Sequence, residues 1–155
     1  PRINAMGRIG DPTVAAKLLL APDVASAQGL AAELEAANKR RRELTAAAMA
    51  EARERLDQAP DAPFLVLEGD WPVGIIGLVA GRLAEEQGRP TLVLSTSVEP
   101  WRGSARSAGG VDLAAAFASV FTASQMGSND GMSDTRGAPV VWADDMGVLR
   151  RLRRA

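Results

Sequence analysis

The first ten residues, Pro1-Arg2-Ile3-Asn4-Ala5-Met6-Gly7-Arg8-Ile9-Gly10, show no hydrophobic period. Two Arg, one Asn and two Gly make this a loop that holds an anion, or else a frayed terminus. Asp11-Pro12 then signals a helix start, with Asp as cap and Pro at the first helical position. That helix is predicted to run to about Leu20 and to be broken by Ala21-Pro22-Asp23. From about Val24 to Leu56 the apolar positions Leu30, Leu34, Ala37, Leu44, Ala48 and Ala52 fall at helical spacing. Good helix formers fill the rest, so one long helix is predicted. Its apolar stripe is narrow, which suits a connector or strut. Lys39-Arg40-Arg41-Arg42 in its middle reads as a solvated face or as a guide for a polyanion.

Beyond this helix the pattern changes. Asp57 to Pro63 is a linker by composition. Phe64-Leu65-Val66-Leu67 is a short buried strand, and Glu68 to Pro72 turns the chain. Val73 to Leu83 is a helix closed by Gln87-Gly88, and Thr91 to Ser95 is a second strand. Strand, helix and strand at this spacing predict a right-handed crossover with parallel strands. Gly74, Gly77 and Gly81 line one face of that helix, where small residues admit a sheet or a ligand closely. The stretch lacks the Lys-Ser/Thr of a P-loop and the spacing of a dinucleotide fingerprint. The expected fold class is α/β: a long connector helix, then a small domain with a mixed, partly parallel sheet flanked by helices.

The stretch with the most chemistry is Trp101-Arg102-Gly103-Ser104-Ala105-Arg106-Ser107. Its guanidinium forks and hydroxyls are what an anion wants, phosphate above all, and Gly103 lets a backbone approach. Arg102, Ser104 and Arg106 share one face if the stretch is extended. The plainer reading is an edge strand with solvated charges. Asp112 caps a helix predicted from Leu113 to about Ser124, whose N-terminus would lie near the strand and add donors. Residues 126 to 134 have the composition of a loop. Pro139 to Trp142 reads as a strand, and Asp144 to Arg154 as a basic helix end.

Charge and composition narrow the chemistry. The 155 residues carry a net charge of −1, so phosphate binding must come from a local patch. There is no Cys, which suits a cytoplasmic protein. There is no His, which excludes a Ser-His-Asp triad and a His metal site within the chain. No apolar run approaches the roughly 20 residues of a membrane-spanning helix. The chain begins without Met and reads as cut from something longer.

Four motifs in order resemble RecJ, the bacterial exonuclease family specific for single-stranded DNA. Pro1 to Gly10 resembles the family's Pro-Arg-Ile-Asn-Ala-Ala-Gly-Arg-Leu-Gly stretch, which closes the catalytic DHH domain. The helical run 24–56 is similar to the family's connector. Asp70 to Leu83 resembles its Gly-Val-Ile-Gly-Ile-Val-Ala-Ser-Arg helix, and Arg102 to Ser107 its Gly-Ser-Gly-Arg-Ser strand. The implied domains are the end of the DHH domain at 1–22, a connector at 23–58, a DHH-associated domain at 59–125 and a divergent tail at 126–155.

The resemblance implies roles. Ser104 and Arg106 would hold the 5′ phosphate of the DNA, within a binding set of Arg102, Gly103, Ser104, Arg106 and Ser107. Arg2, Asn4 and Arg8 would support the substrate or the scissile phosphate. No metal is expected in this chain; Mn2+ or Mg2+ would sit in the DHH domain and activate the attacking water. The implied partners are single-stranded DNA with a 5′ phosphate and the DHH domain, and a single-strand binding protein stays open. A non-catalytic single-strand-binding module and a DHH-family phosphodiesterase on short oligonucleotides are the alternative readings. Two departures stand out. Asp70-Trp71-Pro72 lies where many relatives have a His, and the family's Gly-Gly-His-x-x-Ala-Ala-Gly-Phe segment is absent from 127–138. A shifted frame, a divergent end and a truncated gene all account for the second.

Overall fold

The computed structural model describes residues 2–57 and 62–117. The elements are α1 (Ile3–Ile9), α2 (Thr13–Leu19), α3 (Val24–Asp57), β1 (Leu65–Gly69), α4 (Val73–Gln87), β2 (Thr91–Ser95) and β3 (Arg102–Arg106). A further helix begins at Leu113 and is described to Phe117. The middle of the linker, the end of that helix and the elements expected at 139–142 and 144–154 lie outside the described residues.

One expectation is corrected at the start. Residues 3–9 form a helix, not a loop or a frayed end. Tertiary packing overrides the weak local pattern: Met6 joins Val14, Ala15 and Leu34 in a small core, and Ala5 is wholly buried. Asp11 caps α2 as its position predicts, accepting from the Thr13 amide at 2.9 Å and its hydroxyl at 2.6 Å. Asp23 also caps: its Oδ1 accepts from the Ser26 amide at 2.7 Å and starts α3.

Helix α3 has 34 residues and so is about 50 Å long. Its buried stripe is Leu34, Asn38, Thr45, Ala48, Met49 and Ala52. Toward its N-terminal half it packs on α1 and α2; farther on it packs on α4. Two polar residues thus occupy buried stripe positions. Thr45 satisfies its hydroxyl on the Arg41 carbonyl at 2.7 Å. The Asn38 Nδ2 has no hydrogen-bond partner among the described residues, a cost of about 1–3 kcal/mol if nothing meets it.

The sheet runs β1-β2-β3, with β1 and β2 parallel and β2 and β3 antiparallel. The α/β class with a mixed sheet is therefore the observed one. One face buries Leu67 and Val93 against Ile75, Ile76, Val79 and Leu83 of α4, with Ala48, Met49 and Ala52 of α3 behind. Each large aliphatic side chain on that face is worth about 1.5–3 kcal/mol of burial. The other face packs Leu92, Leu94 and Ala105 on Leu113 and Phe117. Gly88 closes α4 in the left-handed conformation at φ 63°, which favours glycine.

Trp71 explains one sequence departure. Its ring is buried against the backbone of Gly69, where a Cβ would stand 2.5 Å from it. Its indole N–H donates to Glu51 of α3 at 2.8 Å, and Arg55 lies 5.7 Å from the ring centroid. The tryptophan ties the β1–α4 turn to the long helix.

Candidate functional site

Strand β3 alternates as its composition predicts. Gly103 and Ala105 are buried; Arg102, Ser104 and Arg106 are half-buried on the opposite face. Pairing sets Arg102 beside Ser95, Ser104 beside Val93 and Arg106 beside Thr91 on β2. Val93 belongs to the core under α4, so these three side chains emerge on the α4 face of the sheet.

The glycine stripe of α4 makes room for them. A Cβ on Gly77 would stand 3.2 Å from the Arg106 Nη2 and 3.2 Å from the Ser104 Oγ. Gly81 lies over the Arg106 stem, its would-be Cβ 3.9 Å from Cγ. At the helix start Gly74 meets α1: a Cβ there would sit 1.7 Å from the Arg8 carbonyl oxygen. Arg8 returns the contact, its Nη1 donating to the Gly74 carbonyl at 3.1 Å. One stripe therefore carries the end of α1 at one point and the β3 cation a turn further on.

The local hydrogen bonds orient the donors. Arg106 Nη1 donates to its neighbour's carbonyl, Ala105, at 2.7 Å and to the Ser104 Oγ at 3.2 Å. That uses the two protons of Nη1 and leaves Nε and Nη2, a fork suited to a planar oxyanion edge. The Ser104 oxygen accepts, so its own proton is free to donate outward. Arg106 Nε and Nη2 and the Ser104 hydroxyl are the donors this face offers to an anion.

The other predicted residues fall differently. Arg102 is half-buried at the start of β3, and Gly103 is buried opposite Leu94. Ser107 lies past the strand, its hydroxyl donating to the Val111 carbonyl in the turn. Asn4 is exposed on α1, one turn before Arg8 and on the same side of the helix. Arg2 is drawn away to Glu35 of α3, with which it forms an exposed ion pair. Arg8 is thus the residue of this trio that the fold brings to α4.

A second expectation is corrected here. Asp112 does cap its helix, accepting from the Ala115 amide at 3.0 Å. But Leu113 and Phe117 pack with Ala105 on the far face of the sheet. That helix start does not share a face with Ser104 and Arg106, and its donors do not add to theirs.

The residues that sequence reasoning passed over are on α3. Asn38 accepts a hydrogen bond through Oδ1 from the Arg41 Nη2 at 3.0 Å. Burial, and then the charges of Arg42, Arg8 and Arg82, hold the Arg41 guanidinium below its usual pKa. The basic run 39–42 is therefore divided: Lys39, Arg40 and Arg42 are exposed, while Arg41 turns in. The signal was a polar residue one turn past Leu34, on a stripe that is otherwise apolar but for Thr45.

Among the described residues no group of three or more His, Cys, Asp or Glu side chains is placed to hold a metal ion. The residues described do not fit a Mg2+ or Mn2+ centre. Nor is any described helix long and apolar enough to cross a membrane.

The chain is an α/β protein in which a long helix carries a small mixed sheet with a cationic, serine-bearing strand. Its sequence is 36% identical over 117 residues to the single-stranded-DNA-specific exonuclease RecJ of Bacillus subtilis, covering 73% of this chain and 15% of that protein. It is 36% identical over 120 residues to RecJ of Dickeya dadantii, covering 73% of this chain and 21% of that protein. Crystal structures agree. RecJ of Thermus thermophilus in complex with Mg2+ superposes at a TM-score of 0.77 with 30% identity, over 99% of this chain and 24% of that one. An exonuclease RecJ bound to manganese superposes at 0.74 with 29% identity, over 99% of this chain and 37% of that one. No protein-family model matches the chain. In sequence and in fold the chain is RecJ-like, and it spans 15 to 21% of the length of these two curated relatives.

Proposed function

We propose that the chain serves a RecJ-like 5′-to-3′ single-stranded-DNA exonuclease by holding the nucleic acid and its 5′ phosphate. The observation that carries this reading is the Ser104–Arg106 pair on the α4 face of β3. Arg106 keeps Nε and Nη2 without a hydrogen bond among the described residues, and Ser104 keeps a proton to give. A terminal phosphate offers more charge and one more unesterified oxygen than a phosphodiester. A guanidinium fork with a hydroxyl beside it favours that end over the middle of a strand.

Binding at this face orients the strand. With the 5′ phosphate seated on β3, the rest of the strand would extend toward Arg8 at the end of α1. Arg8, fixed to the Gly74 carbonyl at 3.1 Å, would then offset charge on a phosphate farther along, with Asn4 beside it. Arg2 contributes less, because Glu35 already offsets its charge. Arg102 and Ser107 flank the anchor, and Gly103 keeps the far side of the strand flat.

Hydrolysis belongs to residues outside those described. RecJ structures with Mg2+ and manganese support a metal centre in such proteins, and a DHH domain ahead of the long helix is where we place it. That metal supplies an activated water and charge stabilisation when bound. The exposed Ile3, Leu19, Leu20 and Val24 around α1 and α2 offer such a domain an apolar seat. By the same reading residues 1–22 close that domain, α3 connects and 59–125 bind nucleic acid. We place the protein in the cytoplasm, with single-stranded DNA as its ligand.

Fluorescence anisotropy tests the reading with one strand in three forms: 5′-phosphorylated, 3′-phosphorylated and unphosphorylated. The 5′-phosphorylated form should bind most tightly. Equal binding of all three would contradict the assignment.

A further inference from the structure

Among the described residues the strand order ends on β1, which pairs through its inner edge with β2 and leaves its outer edge open. Hydrogen bonds at the two ends of β1 fix which groups face where. The Leu65 amide donates to the Pro90 carbonyl at 2.8 Å, and the Gly69 carbonyl accepts from the Thr96 amide at 3.0 Å. Backbone groups along a strand alternate between its edges. Leu65, Leu67 and Gly69 therefore point to β2, and Val66 and Glu68 point outward. No backbone group among the described residues pairs with the Val66 amide or carbonyl. Such an edge is a template for another strand. Val66 is β-branched, and with Phe64 it is half-buried on the far face, so the residues suit that use too.

One side chain stands across this edge. Arg55, in the last turn of α3, donates through Nη1 to the outward Glu68 carbonyl at 2.5 Å. Its Nη2 donates to Glu51 Oε1 at 2.6 Å, one turn back on the helix. Its guanidinium carbon lies 5.7 Å from the centre of the buried Trp71 ring, and the Trp71 N–H is held by the same Glu51. An exposed ion pair alone contributes little. Together these contacts set the guanidinium over a single backbone oxygen, which a merely solvated helix end does not require. At the other end of the strand Pro63 has no N–H to offer a ladder.

We infer that Arg55 guards the open β1 edge against pairing with a second copy of this chain. Two β1 strands can meet antiparallel about a two-fold axis at Leu67, so that Val66 of each copy exchanges both ladder bonds with Glu68 of the other. The same outward groups are present on every copy, and in this register they complement themselves. The exchange needs the Glu68 carbonyl as an acceptor, and Arg55 already occupies it. The Arg55 stem also stands where the incoming strand must lie. The inference rests on the sheet and its edge, whatever the chain binds.

The test uses the 155-residue chain, with Arg55→Met as the opened form. Methionine keeps an apolar stem beside Trp71 and has no donor for Glu68. Sedimentation over a range of concentrations gives the average mass of parent and variant. The variant's mass should climb with concentration toward about twice that of one chain, and well above the parent's. Amide hydrogen exchange at Val66 and Glu68 should slow as it does so. Arg55→Gln, too short to reach the Glu68 carbonyl, should behave in the same way. Val66→Pro removes an outward N–H that β2 does not use. Added to Arg55→Met, it should return the mass to the parent's at every concentration, whereas association through another surface would survive it. The inference is overturned if both Arg55 variants associate no more than the parent, or if the proline leaves their association intact.

Discussion

Gly77 of α4 lies against Arg106 of β3 so closely that a Cβ on the glycine would stand 3.2 Å from the guanidinium Nη2. Nη2 is one of the donors left for a ligand. Gly77→Ala gains helix propensity, about 1 kcal/mol, yet must push that donor aside. We expect a fold that melts no lower than the parent and a preference for 5′-phosphorylated strands that drops several-fold. Gly81→Ala is the control. Its added carbon meets only the Arg106 stem at 3.9 Å, an ordinary contact, so stability should rise with the preference intact. Calorimetric melting and anisotropy on both variants check this.

Gly74 answers to a stricter limit. A Cβ there would lie 1.7 Å from the backbone oxygen of Arg8, and backbone cannot step aside as a side chain can. Gly74→Ala should force α1 off α4, at a cost of about 3 kcal/mol or more. The expected signature is faster amide hydrogen exchange through residues 3–9, with α4 itself still protected.

Trp71 joins the β1–α4 turn to α3 through its indole N–H on Glu51. Trp71→Phe keeps most of the ring and loses that bond and part of the attraction to Arg55. Urea unfolding should show a loss of about 1–2 kcal/mol, with no change in strand binding.

Acid should loosen the helices before the sheet. The Thr13 hydroxyl lowers the Asp11 pKa, the Ser26 amide lowers that of Asp23, and the Arg53 hydrogen bond lowers that of Glu86. A lowered carboxyl pKa gives stability that is complete above the ordinary carboxylate range. It is lost as pH falls through the lowered values. The melting temperature should hold from neutral pH down to about pH 5 and fall below it. Asp23→Ala should start lower and fall less steeply. A parent chain that grows more stable toward about pH 3 would contradict these assignments.

Much of this fold was legible because local signals and packing agree. Asp11 and Asp112 stand where caps are wanted, Gly88 where a helix must end left-handed, and β3 alternates as its residues do. Helix α1 was hidden because Gly7 and the polar residues around it carry no period; only burial of Ala5 and Met6 makes it helical. Ser104 and Arg106 were legible as an alternating pair. Their relation to Gly77 was not, since it depends on how α4 crosses the sheet. The side of the sheet taken by the Leu113 helix was equally out of reach. Sequence places that helix after β3 but does not say which face Ala105 turns to it. Asn38 was readable in principle, as a polar residue in a buried stripe, but its bond with Arg41 was not.

The central claim is that Arg106 recognises the terminal phosphate itself, and a double cycle tests it most directly. Binding is measured for the parent and Arg106→Ala, each with the same single strand bearing a 5′ phosphate or a 5′ hydroxyl. If the claim holds, removing the phosphate weakens the parent by about tenfold or more and leaves Arg106→Ala nearly indifferent, a coupling of about 1.4 kcal/mol or more. A coupling of zero, with the variant preferring the phosphorylated strand as strongly as the parent, would contradict it.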